Sequence, residues 1–199
     1  MKMKNKKNPG FIKENYLLSV NFIKESKIFI YFITGIFFLF TMIGFFVPPP
    51  EVISDQILKF IEELLRKTQD LSQFELIRFI FFNNIQSSFF GIILGVFLGL
   101  FPVIFAIANG YVLGFVASFS VNVGGIFILW RLFPHGIFEL PAIFISLGLG
   151  LKIMTFIFEK NKLRTLKIYI KNSLRTFLFI VIPLLIIAAV IEGSLIFFT

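Results

Sequence analysis

The chain has no cysteine, a single histidine, His135, and two aspartates, Asp55 and Asp70, neither within a long apolar run. Without cysteine there is no disulfide, no thiolate metal site and no cysteine nucleophile. No HExxH, no GxSxG and no glycine-rich phosphate loop occurs either. The known hydrolytic and nucleotide chemistries built on those motifs are therefore missing, and the chain reads as a non-enzyme with no cofactor. Charge is scarce as well: 15% of residues are charged, against 57% hydrophobic with 31 phenylalanines. A soluble domain of 199 residues could not cover so much apolar surface, so lipid is the solvent for most of it.

The apolar runs divide into five spans, at 28–47, 75–100, 102–123, 136–158 and 175–198. Each is near or above the ~20 residues that cross a ~30 Å hydrocarbon core. The expected fold is an all-α integral membrane protein. Residues 1–27 form a basic arm carrying an interfacial helix at 11–24, and 28–199 form one membrane domain. The first run ends in Phe45-Phe46-Val47-Pro48 rather than in small residues, as a retained span would and a cleavable leader would not. Pro48-Pro49-Pro50 stops that span. It opens an amphipathic helix at 51–70, with Ile53, Ile57, Phe60, Ile61, Leu64 and Leu65 on one stripe. Ser72 and Glu75 have the spacing of a capping box at the start of the second span. The turn to the third falls at Phe101-Pro102, with Asn109-Gly110 as the rival signal.

The net charge of +8 follows the topology rather than a nucleic-acid surface. Seven basic residues lie in 1–27 and six in 159–175, whereas 48–74 holds three basic and five acidic residues, and 124–135 holds Arg131 alone. Lys- and Arg-rich segments stay in the cytoplasm, which sets a multi-pass plasma-membrane protein with its N-terminus inside and its C-terminus outside. Expected partners are the bilayer with its anionic lipids, a second copy in a homodimer, and membrane or envelope proteins.

Small residues recur every four positions in three spans: Gly91, Gly95 and Gly99; Ala106, Gly110, Gly114 and Ser118; Ala142, Ser146 and Gly150. Such ladders let helix backbones approach closely. They predict a tight core of the second, third and fourth spans, with the Phe-rich first and fifth spans turned to lipid or a partner protomer.

Ionisable groups in hydrocarbon are costly, so those that occur are functional candidates. At ~1.5 Å rise per residue, Asn83, Asn84 and Glu192 reach the outer third of the membrane, where His135 and Glu139 open the fourth span. His135 and Glu139 alone supply two metal ligands, and a metal would need Glu192 or a second protomer to complete its set. The other readings are an ion-coupled path, with Asn83 and Asn109 lining it, and a structural His135–Glu139 clasp.

The order Asn83-Asn84, Gly91/Gly95/Gly99, Asn109-Gly110-x-x-x-Gly114, then Pro134-His135-Gly136-x-x-Glu139-x-x-Ala142 resembles the stage II sporulation protein M (SpoIIM) family. The resemblance implies a polytopic protein of about five spans, with its motif on Asn83, Asn84, Asn109, Gly110, Pro134, His135, Gly136 and Glu139. Members of that family in spore-forming bacteria anchor a peptidoglycan-remodelling machine by recruiting partners and are not themselves the hydrolases. Leu140-Pro141 departs from the small or polar residue expected before Ala142. Two function classes follow: a membrane module that conducts or binds an ion or small solute, and a non-catalytic scaffold that recruits partner proteins.

Overall fold

The computed structural model describes residues 10–127, 129 and 133–198, apart from the side chains of 133–135. Its helices are α1 (Phe11–Phe46), α2 (Glu51–Thr68), α3 (Gln73–Ile93), α4 (Leu100–Gly124), α5 (Phe133–Met154), α6 (Lys162–Thr176) and α7 (Ile182–Phe198). A 3₁₀ turn, Leu94–Val96, extends α3, another, Thr155–Phe158, extends α5, and a π-helical turn, Phe177–Val181, joins α6 to α7. Among the described residues, five helical stretches are long and apolar enough to cross a membrane.

Local chemistry sets the breaks. Val47 precedes the three prolines in an extended conformation, so α1 stops where the α region is disfavoured. Ser72 caps α3 reciprocally with Glu75, its backbone N–H donating to Glu75 Oε2 at 3.0 Å. Between α3 and α4 the chain reverses through two left-handed residues, Leu98 at φ 55° and Gly99 at φ 66°. Glycine takes that conformation freely, whereas leucine is strained in it. The turn thus falls just before the expected Phe101-Pro102 position, and Asn109-Gly110 lies inside α4.

Two elements are longer than the sequence suggests. The expected interfacial helix and first span form one helix, since no glycine or proline occurs from Phe11 until Gly35. The basic segment 159–175 holds α6, which runs through the π turn into α7 without a loop.

The packing corrects the expected core. Of the residues in the most apolar window, half are buried in α5 against 22% in α1 and in α4, so α5 is the central helix. Around it stand two pairs, α1 with α4 and α3 with α7. The α4 ladder faces α1, not α3: the Phe37 carbonyl stands where a Cβ on Gly110 would go, and the Thr41 carbonyl does so for Gly114. Gly44 on α1 supplies the reciprocal notch for Tyr111. Gly35 and Gly44, nine residues apart in a Phe-rich run, form no ladder pattern, which is why the sequence places α1 at the periphery. The other two ladders meet each other: Gly95 and Gly150 touch backbone to backbone, and Gly91 meets Leu147. Ser146 is fully buried and returns its hydroxyl to the Ala142 carbonyl at 2.9 Å.

The helix directions follow from these contacts. α1 runs parallel to α4, α3 parallel to α5, and α3 antiparallel to α7. Phe22 against Tyr169 and Phe11 against Phe179 align the start of α1 antiparallel to α6 and the π turn. The start of α1 and the basic helix α6 therefore sit at one end of the bundle, and the loop after α2 sits at the other. α2 has no buried residue. Its Lys67–Glu63 ion pair, at 2.8 Å, holds the Glu63 carboxyl below the usual range.

Candidate functional site

Glu192 is held in place by its neighbours on α7. Gly193 packs against Ile77 of α3 so closely that a Cβ would strike its backbone and side chain. Ser194 accepts a hydrogen bond from Gln73 Nε2 at 3.1 Å. The capped first turn of α3 thus clamps the end of α7. Glu192 Oε2 is shut off from solvent and has no hydrogen-bond partner among the described residues. An unpaired buried oxygen is uncommon in a folded protein and asks for an explanation.

Glu139 comes to the same region from α5, and its carboxyl lies within electrostatic reach of Glu192. The register fixed by Gly91 against Leu147 and Gly95 against Gly150, carried up the parallel helices, sets Glu139 level with Asn83 and Asn84. Asn84 is buried on the α3 face that also carries Leu76, Ile80 and Ser88, whereas Asn83 is exposed. Ser88 Oγ, one turn further along that face, is buried without a hydrogen-bond partner among the described residues. No basic side chain forms an ion pair with either glutamate among the described residues, where Lys67–Glu63 is the sole salt bridge.

The remaining candidates separate from this layer. Asn109 is exposed on α4 and donates its amide to the Phe105 carbonyl of its own helix at 2.8 Å. Gly110 and Gly114 serve the α1 contact. Gly136, on the first turn of α5, has open space around it apart from Leu140. The side chains of Pro134 and His135 lie outside the described residues. Pro141, the departure from the family pattern, is exposed, and α5 continues through it.

The arrangement offers two carboxyls from different helices, a buried carboxamide at the level of one of them, and a hydroxyl beyond. Among the described residues no group of three metal-ligating side chains occurs.

One grouping of residues is not legible in the sequence. Lys152, 9% exposed in the last turn of α5, places its ammonium 5.6 Å from the Phe22 ring, 5.8 Å from Phe29 and 5.1 Å from Tyr169. Its Nζ also donates to the Glu25 carbonyl at 3.4 Å. A lone lysine in an apolar run was visible in the sequence. The three rings come from α1 and α6, and nothing local announces them.

A family model described as SpoIIM, Stage II sporulation protein M, matches residues 28–195, from within α1 to near the end of α7. No curated protein and no solved structure matches the chain. With that match running over most of its length and all five apolar helices, the chain belongs to the SpoIIM family.

Proposed function

We propose that this SpoIIM-family membrane protein conducts a proton or a monovalent cation, with Glu139 and Glu192 as the groups that take it up. The observation that carries this reading is the enclosed Oε2 of Glu192, which has no hydrogen-bond partner among the described residues, with the Glu139 carboxyl of another helix within electrostatic reach. Carboxyls inside a bundle mark ion and proton pathways because hydrocarbon penalises them unless they have a partner, and here the partner is the transported ion. Asn84 and Ser88 extend the polar face inward along α3. The end of the bundle holding α6 and the start of α1, with their basic residues, is the cytoplasmic one, so the carboxyl pair opens toward the outside. His135 lies one helical turn before Glu139 in sequence, on the first turn of α5.

The binding test is thermal. A cation that binds the folded bundle raises its Tm with concentration. Sodium or potassium should stabilise the purified protein against an equal concentration of choline, and Glu192→Gln should remove the difference. Equal stabilisation in that variant would count against the site.

A second reading rests on α2. A helix with one apolar stripe and no buried residue leaves that stripe available to a membrane surface or a partner helix, as a scaffold requires. Under this reading, Ile57→Glu with Phe60→Glu removes a co-purifying partner and leaves ion flux intact.

A further inference from the structure

An open groove of about 530 Å³ runs along α6 and the π turn, with Asn15 of α1 also in its lining. Its size falls in the range of small-molecule sites, ~300–1,000 Å³. Two adjacent stripes line it. Lys167, Lys171 and Arg175 recur every four residues, and beside them Ile170, Leu174 and Leu178 do the same. Spacing of four keeps each stripe on one helical face. The outcome is a row of cations laid along an apolar trough, and no acidic residue lines it among the described residues.

Three further details suit a lipid rather than a soluble anion. Arg175 spends one guanidinium nitrogen on Asn172 Oδ1, at 3.0 Å, which orients the group and leaves other donors free. The π turn starts at Phe177, two residues beyond the last cation, and lets neighbouring Leu178 and Phe179 both line the groove. Phe179 stacks edge-on against Phe11, with ring centroids 6.2 Å apart, and closes the trough with apolar surface. A free phosphate would find the cations but gain nothing from the trough. A phospholipid uses both, headgroup on the cations and acyl chain on the leucines.

We infer that this groove is a site for one anionic phospholipid of the leaflet that meets α6. Basic residues at a membrane surface favour anionic headgroups by an amount that makes each one worth about fivefold in affinity. The site is separate from the Glu139–Glu192 pair, so its success or failure leaves that reading untouched.

The test is native mass spectrometry of the whole protein, released from detergent containing equal amounts of phosphatidylglycerol and phosphatidylcholine. Wild type should retain one phosphatidylglycerol in preference to phosphatidylcholine. Lys171→Gln with Arg175→Gln should weaken that retention by about 25-fold, at about fivefold per cation. Leu178→Trp, which fills the trough at an exposed position and alters no charge, should weaken it too. Lys59→Gln with Lys67→Gln on α2 should leave it unchanged, and added glycerol phosphate should not displace the lipid. Equal retention of both lipids would overturn the inference. So would loss in the α2 variant equal to that in the groove variant, retention unaffected by Leu178→Trp, or displacement by the soluble headgroup.

Discussion

Glu192 of α7 and Glu139 of α5 bring two carboxyls within electrostatic reach of one another, and among the described residues no basic side chain bridges them. Groups in one network respond together to substitution, whereas independent sites add. Thermal unfolding of Glu139→Gln, Glu192→Gln and the double variant should show a coupling of about 0.5–3 kcal/mol. Strict additivity would mean that the two side chains act apart.

The glycines of the α3–α5 and α1–α4 contacts should be intolerant in proportion to what stands against them. A Cβ at Gly95 meets the Gly150 backbone and one at Gly114 meets the Thr41 carbonyl, neither of which can rotate away. Gly95→Ala and Gly114→Ala should each cost about 1–3 kcal/mol. Gly35, on the same α1 helix, has nothing within 4 Å of its Cβ position. Gly35→Ala should be neutral or stabilise by about 0.5–1 kcal/mol through helix propensity. A similar Tm loss at all three positions would contradict the packing described.

The ladders also show what a sequence can and cannot carry. Gly91, Gly95 and Gly99 announced a close helix contact because spacing of four defines a face whatever the partner. The partner is a long-range property. Gly44 has no repeat around it, so the pairing of α1 with α4 is illegible in the sequence, which points to a peripheral first span. The capping box at Ser72 and the helix after Pro50 were legible because their chemistry is local. The length of α1 was not: charge at Lys24 and Lys27 suggested a boundary, but neither residue breaks a helix. At the candidate site, Glu139, Glu192 and Asn84 stood out as polar groups in apolar runs. Asn109 stood out equally, and only the α4 register turns it away.

Lys152 should prove a structural clasp between α1, α5 and α6. Three rings and one carbonyl surround its ammonium. Desolvated cation–π contacts contribute ~2 kcal/mol. Lys152→Met keeps the apolar stem but loses those contacts, and should lower stability by about 1–2 kcal/mol. The effect should shrink in a Tyr169→Leu background, since the nearest ring is then gone. An unchanged effect in that background would rule out the ring as the source.

Substitutions on α2 should leave the bundle intact. With no buried residue to lose, Ile57→Glu and Phe60→Glu should each change its thermal stability by less than about 0.5 kcal/mol. A larger loss would show that α2 packs on the bundle, and would weaken its use as a docking surface.

The most direct measurement of the central claim is proton and monovalent-cation flux in proteoliposomes, compared between wild type, Glu139→Gln and Glu192→Gln from pH 5 to 8. The account predicts flux in wild type that falls at least tenfold in either variant while both remain folded and inserted. Flux unchanged by either substitution, or none in any of the three proteins, would contradict it and shift the function to the scaffold built on α2.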